Sequence, residues 1–236
     1  MAVLAIDSST SQVAVGLVRE GRPGIGRRLA GGRRTGSVLP VAVAQLLAEE
    51  GLRPAELQAI AVGLGPGPYT SLRVGVMFAR AVGLAVGVQV VGACSLDVVA
   101  RSVGTEADGE SFVVASDARR REVYWARYDG EGRRCAGPLV GAPAVVRQVN
   151  EGVRWIDAGD EFGPDALVLA AWVASEQGIE EGVGVPRLPW FEQTWDDARA
   201  DGSAGPSVPQ SLLAPEPIYL RKPDAVAPAG LVGGVS

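Results

Sequence analysis

AVLAIDSSTSQVAVGLV, residues 2–18, holds two apolar runs, 2–6 and 12–18, on either side of the polar segment DSSTS. Short apolar runs bounded by turn residues read as strands, and the small polar residues between them predict a hairpin. FVVASDARRREVYWARY, residues 112–128, has the same build, with the charged segment DARRRE between its two runs. A strand–polar turn–strand opening that occurs twice predicts two lobes. Dividing the chain at the polar stretch 104–110 gives an N-terminal lobe over 1–105 and a smaller C-terminal lobe over 106–222. Residues 223–236 (DAVAPAGLVGGVS from 224) are expected to be a disordered tail.

Between the two openings, strands alternate with helices. RPGIGRRLA (22–30) supplies a third strand. A helix is predicted from Ser37 to about Glu50. Pro40 falls in its first turn, where a missing N–H costs nothing, and Val43, Leu46 and Leu47 share one face. AIAVGL (59–64) reads as a strand buried on both faces. GPGPYTS then leads into a helix from about Ser71 to Val86. QVVG (89–92) is another buried strand, and Ser95 is expected to cap a helix through about Arg101. In the second half, Val145–Asn150, Trp155–Ala158 and a helix near Asp165–Glu176 follow, and 182–211 is expected to be mostly loop. This order places the chain in the α/β class, with helices packed on sheets.

Composition removes several chemistries. The 236 residues include 47% hydrophobic and 21% charged side chains, which is globular usage. Histidine is absent. Histidine-ligated metals, Ser–His–Asp triads and Cys–His pairs are therefore excluded. Cys94 and Cys135 are too few and too far apart for a thiolate zinc site or a disulfide scaffold, so no metal site is expected and a cytoplasmic location is. The start MAVLAIDSSTS lacks a basic leader, and the apolar run 74–91 is punctuated by glycines and Arg80, so no membrane association is expected. Net charge is −5, yet residues 1–105 carry 10 Lys+Arg against 6 Asp+Glu. The acidic second half is a poor nucleic-acid binder on its own.

Four motifs have both a functional and a structural reading. Asp7-Ser8-Ser9-Thr10 can hold a phosphate, with the carboxylate placing a metal or water, or can simply stabilise a hairpin turn. GLGPGPYTSLR (63–73) sits where a helix N-terminus would meet an anion. It lacks the Lys-Ser/Thr of a P-loop, and its two prolines remove N–H donors. In the helix that follows, Gly75, Ala79, Gly83 and Gly87 recur every four residues and form a ridge of small residues. That ridge fits close packing, either on the chain's own sheet or against a partner helix. DARRRE (117–122) has three arginines where a phosphate-binding turn would want glycine. It reads as a solvated charged turn, with an acidic partner or RNA as the alternative.

LAIDSSTSQVAVGLV, then AIAVGLGPGPYTSLRVGVMFARAVGLAVGVQVVGACSLDVVA, then DARRREVYWARY, and finally PIYLRKPDA together resemble the TsaB family, in order from about residue 4 to 225. The chain departs from the family pattern at Arg34, where a histidine is usual, and at Pro68 and Ser71 in GPGPYTSLR. The resemblance implies an actin-like (ASKHA, ribonuclease H-like) fold of two lobes. It also implies a non-catalytic subunit that supports TsaD in threonylcarbamoyl transfer to the adenosine beside the tRNA anticodon. No catalytic residue and no cofactor are expected. The implied partners are TsaD, TsaE through the complex and tRNA only through the complex, with a homodimer when TsaD is absent. The implied interface is the two helices near 37–50 and 71–87: Leu39, Val43, Leu46, Arg73, Gly75, Val76, Ala79, Arg80 and Gly83. Asp7, Ser8, Ser9 and Thr10 would then be a vestigial phosphate turn. Two other readings compete. One is an active phosphotransferase of the same fold acting on a small metabolite through Asp7 and Thr10. The other is an RNA-binding module using Arg119, Arg120 and Arg121.

Overall fold

The computed structural model describes residues 2–103, 109–159, 163–176 and 212–220. The expected loop region 182–211 and tail 223–236 lie outside the described residues. Strands β1 (Ala2–Asp7), β2 (Gln12–Arg19) and β3 (Ile25–Ala30) form an antiparallel meander, followed by helix α1 (Thr35–Glu49). β4 (Ala59–Gly63) then pairs parallel to β1, and after helix α2 (Tyr69–Val86) β5 (Gln89–Ala93) pairs parallel to β4. The sheet order is β3-β2-β1-β4-β5. Helix α3 (Ser95–Val103) leads to the second half, where the plan recurs. β6 (Gly109–Asp117), β7 (Val123–Gly130) and β8 (Arg134–Gly141) form a meander. Helix α4 (Pro143–Val149) follows, and β9 (Arg154–Asp157) returns parallel to β6. That sheet has the order β8-β7-β6-β9, and helix α5 (Ala166–Glu176) follows it. A β-β-β-α-β unit used twice is the expected actin-like α/β architecture.

Strand alternation assigns each face of the first sheet its own cover. Leu4, Ile6, Val13, Val15, Leu17, Ile60 and Val62 point one way and pack with Leu39, Leu46, Leu72 and Val76 of α1 and α2. Val3, Ala5, Ala14, Ala59 and Ala61 point the other way, under Ala166, Leu169, Ala170 and Val173 of α5. The second face is built from small residues, so α5 lies close. A Cβ on Gly16 would sit 2.5 Å from the Ala166 carbonyl carbon. The halves thus exchange helices, because α5 covers the first sheet while α3 packs on the second. Leu96, Val99, Ala100 and Val103 of α3 join Phe112, Val114, Ala126 and Tyr128 in one core. Each large apolar side chain buried there contributes about 1.5–3 kcal/mol.

Several boundaries differ from the sequence expectation. α1 begins at Thr35, after a 3₁₀ turn at Gly32–Arg34, so Pro40 is its sixth residue and lies in the second turn. The N–H that proline lacks would have bonded the carbonyl of Gly36, an exposed residue with open space around it. α2 begins at Tyr69, two residues before the expected start, with Pro68 as N-cap, and the Ser71 hydroxyl donates to the Pro68 carbonyl. β8 was not expected, because Gly137 and Pro138 interrupt its apolar run. It is an edge strand, and the edge is where a sheet tolerates proline. α2 is long and apolar enough by length and composition to cross a membrane. It carries Arg73 and Arg80, and its Leu72, Val76 and Ala79 face lies in the core of the first sheet.

Candidate functional site

The carboxyl ends of β1, β4 and β5 lie side by side, because these three strands run parallel. The polar turn of the first hairpin and the glycine-rich loop before α2 therefore meet. Asp7, the last residue of β1, is enclosed there. Its Oδ1 accepts from the Ser9 N–H at 2.7 Å and from the Ser9 hydroxyl at 2.6 Å. Its Oδ2 accepts from the Ser95 hydroxyl at 2.6 Å. Ser95 is not the helix cap the sequence suggested. Its Oγ also accepts from the Gly65 N–H at 3.0 Å, while its own N–H donates to the Gly65 carbonyl at 2.8 Å. Ser8 donates to the Ser71 carbonyl at 2.8 Å, tying the turn to the first turn of α2.

The glycines of this region make room for the turn. A Cβ on Gly63 would stand 1.7 Å from Asp7 Oδ2, one on Gly67 2.2 Å from the Ser9 carbonyl oxygen, and one on Gly75 2.2 Å from Ser8 Oγ. The loop that sequence reading treated as a possible anion cradle is packed directly onto the turn it would have served. Asp7, Ser8 and Ser9 are only 2%, 1% and 3% exposed. Thr10 alone is half-exposed, and its Oγ1 accepts from the Gln12 N–H at 3.2 Å. Burial pushes the Asp7 carboxyl above its ordinary value, opposed by the Ser9 and Ser95 hydrogen bonds and by the charge of Arg28. With three of its roughly four acceptor positions filled and only 2% of its surface exposed, this carboxylate is closed to bulk solvent. Among the described residues no three His, Cys, Asp or Glu side chains cluster as a metal site would require.

The second hairpin turn is built differently. Arg119, Arg120 and Arg121 all take positive φ, at 63°, 54° and 63°, and all three are exposed. The turn is closed by the Ala118 N–H to the Glu122 carbonyl at 2.9 Å and by the Arg119 N–H to Asp117 Oδ1 at 2.8 Å. The left-handed backbone that glycine would adopt freely is here held by three residues that carry side chains, so the main chain is not left bare as it is in a glycine turn.

The interface residues named from the sequence divide in two. Leu39, Val43, Leu46, Gly75, Val76, Ala79 and Gly83 are buried in the chain's own core, which corrects their placement on a partner-facing surface. Gly75, Ala79 and Gly83 of the small-residue ridge face the first sheet, where a Cβ on Gly83 would meet Val90 Cγ2 at 2.3 Å, whereas Gly87 is the exposed left-handed C-cap of α2. Arg73 is exposed and Arg80 half-exposed. The outward face carries side chains that sequence reading passed over: Tyr69 (37% exposed), Met77 (57%) and Leu84 (87%) on α2, with Val41 (54%) on α1. A signal for them was available, since Tyr69, Arg73, Met77 and Ala81 recur at four-residue intervals opposite the glycine ridge.

A second buried polar group also escaped notice. Asp97 of α3 accepts from the Tyr128 hydroxyl of β7 at 2.8 Å and lies 3.5 Å from Arg134 Nη2 of β8. The Asp97 and Arg134 side chains are 0% and 4% exposed. Burial raises the Asp97 carboxyl, with Arg134 opposing. The neighbouring Cys94 thiol is pushed up to about 12, first by burial and then by the Asp97 charge. The signal in sequence was a lone acid inside the apolar run CSLDVVA.

Comparison with known proteins points one way. Residues 31–154 match the family described as TsaD, tRNA N6-adenosine threonylcarbamoyltransferase. The chain is 31% identical over 231 residues to the tRNA threonylcarbamoyladenosine biosynthesis protein TsaB of Escherichia coli, covering 94% of this chain and 95% of that protein. It is 37% identical over 231 residues to an uncharacterized protein of Mycobacterium tuberculosis, covering 94% and 93%. Among solved structures, YeaZ from Pseudomonas aeruginosa superposes with a TM-score of 0.65 at 26% identity, over 78% of this chain and 97% of that one.

Proposed function

The chain belongs to the TsaB family of tRNA threonylcarbamoyladenosine biosynthesis proteins, and from that we propose that it is a non-catalytic subunit that acts by docking to TsaD. The observation that carries this reading is the sealed state of Asp7. The one carboxylate placed where an actin-like phosphotransferase would need it is 2% exposed and spends both oxygens on Ser9 and Ser95. The active-phosphotransferase reading requires that carboxylate to be open to a metal or a water, so the geometry disfavours it. No cofactor is required of this chain.

The docking surface is the outward face of α1 and α2, where Val41, Tyr69, Met77 and Leu84 leave apolar area in water. Exposed apolar side chains gathered on one face are the usual mark of an association site. TsaE and tRNA engage through the assembled complex, in the cytoplasm. In the absence of TsaD the same apolar patch pairs only weakly with its own copy, because Arg73 and Arg80 of α2 meet no acidic residue on that helix. The experiment is to mix the chain with TsaD and follow complex formation by size exclusion with light scattering. A stable complex that Met77→Glu abolishes supports the reading. Failure to associate, or association untouched by that charge, overturns it.

A further inference from the structure

Residues 212–220 return to the first sheet from the far end of the chain. The Leu213 N–H donates to the Gly92 carbonyl and the Gly92 N–H to the Leu213 carbonyl, both at 2.7 Å, along the free edge of β5. Five residues on, the Ile218 N–H donates to the Leu64 carbonyl at 2.7 Å, and the Ile218 side chain packs against the cores of both sheets. The strap is thus anchored at two points, and the next residue is Tyr219. Its ring lies 5.0 Å from that of Tyr69, the first residue of α2, at a 35° tilt. The Arg73 guanidinium lies 4.9 Å from the centre of the Tyr69 ring and donates to its hydroxyl.

We propose that Tyr219 joins Tyr69 and Arg73 in an anchor cluster for TsaD at one end of the α2 docking face, so that the strap completes an interface α1 and α2 cannot form alone. This rests on the docking role proposed above. Three facts support it. The cluster is continuous with the outward stripe Tyr69, Arg73, Met77, Ala81 and Leu84, about 22 Å long at 1.5 Å per residue. Its residues are half-buried or exposed, so the aromatic pair is not closed off as a core pair would be. Tyrosine and arginine are also the residue types that most often carry interface energy.

Charge decides between TsaD and a second copy. α2 contains no acidic residue, and the one carboxylate of α1, Glu49, is engaged by Arg27. A second copy would set arginine against arginine. The occupant that fits is an apolar helix face with a carboxylate opposite Arg73, which TsaD would have to supply.

The test is the affinity of the full chain for TsaD by calorimetry, for wild type, Tyr219→Ala, Tyr219→Phe and Arg73→Ala, with self-association and thermal melting measured in parallel. Tyr219→Ala is expected to weaken TsaD binding about tenfold or more, and Tyr219→Phe, which keeps the ring, by no more than about twofold. The backbone anchors at residues 213 and 218 should keep the melting temperature unchanged. Should Tyr219→Ala destabilise the fold, Arg73→Ala, exposed and outside the strap, must show the same tenfold loss. Binding by Tyr219→Ala within about twofold of wild type overturns the proposal, as does weakened self-association with TsaD binding intact. Normal binding by Arg73→Ala overturns it too. Failure of the wild-type chain itself to bind TsaD would instead remove the docking role on which the proposal rests.

Discussion

The Ser95 hydroxyl donates to Asp7 Oδ2 at 2.6 Å across 88 residues of chain, joining the start of α3 to the end of β1. The same serine receives the Gly65 N–H. One hydroxyl therefore locks the hairpin turn, the glycine-rich loop and α3 into a single unit, and the docking role proposed above makes the carboxylate at its centre a structural group.

Asp7→Asn tests that assignment. Burial holds the Asp7 carboxyl above its ordinary value of 3.8 in the folded chain, so the folded state binds this proton more tightly than the unfolded state. The stabilising contribution is complete below pH 3.8 and is lost as pH rises through the folded value. Asparagine keeps an oxygen for Ser9 and does not titrate. Its amide faces Ser95 Oγ, which accepts as well as donates. Denaturation midpoints should show wild type losing stability relative to Asp7→Asn from about pH 4 upward, while complex formation with TsaD stays intact. A variant that folds but cannot support tRNA modification would contradict the structural role.

The glycine ridge of α2 makes the opposite demand. Gly83→Leu must displace Val90 and the Val88 carbonyl, which a Cβ would already approach to 2.3 and 3.1 Å. Overpacking of this kind costs about 1–3 kcal/mol. Met77→Glu and Leu84→Glu lie in water and should change stability by no more than about 0.5 kcal/mol. Thermal melts together with TsaD pull-down should therefore separate the two sets: Gly83→Leu melts early, and the exposed variants melt normally and fail to pair.

Much of this was legible in the chain, and what was not has particular causes. The two hairpins, the buried β4, the existence of β5 (a partly buried edge strand) and the approximate extents of α2 and α5 follow from apolar runs punctuated by Gly, Pro and small polar residues, which are local signals. Which face of α2 looks inward is not local. Gly75 is small because Ser8, distant in sequence, occupies the space beside it, and Gly83 because the chain turns back after α2 and lays Val90 of β5 against it. Ser95 precedes an apolar helix as a cap would, and only the parallel pairing of β1, β4 and β5 brings it to Asp7. β8 went unread because an edge strand can carry Gly137-Pro138 without losing its partner.

The packing of α3 on the second sheet encloses one charge pair, Asp97 with Arg134. Replacing Asp97 with leucine leaves Arg134, 4% exposed, as a buried charge, and should cost about 3–5 kcal/mol. Replacing both with apolar residues of similar volume should recover most of that loss. Tyr128→Phe removes only the donor to Asp97 Oδ1 and should cost about 1–3 kcal/mol. Urea denaturation of the single and double variants measures all three. A double variant no better than Asp97→Leu would show that the pair is not the source of the loss.

The two cysteines should differ sharply in reactivity. Cys94 is buried, with its thiol pushed up to about 12, whereas Cys135 is exposed on β8. A thiol reagent at pH 8 should label one cysteine per native chain quickly and the second only on denaturation. Rapid labelling of both in the native chain would contradict the packing of α3 on the second sheet.

The rate of threonylcarbamoyl transfer to tRNA by TsaD and TsaE, with this chain present, omitted, or replaced by Asp7→Asn, bears most directly on the claim that the chain works by docking alone. The predicted result is a rate that collapses on omission and is fully restored by Asp7→Asn. A full rate without the chain, or a folded Asp7→Asn chain that pairs with TsaD yet restores nothing, would contradict it.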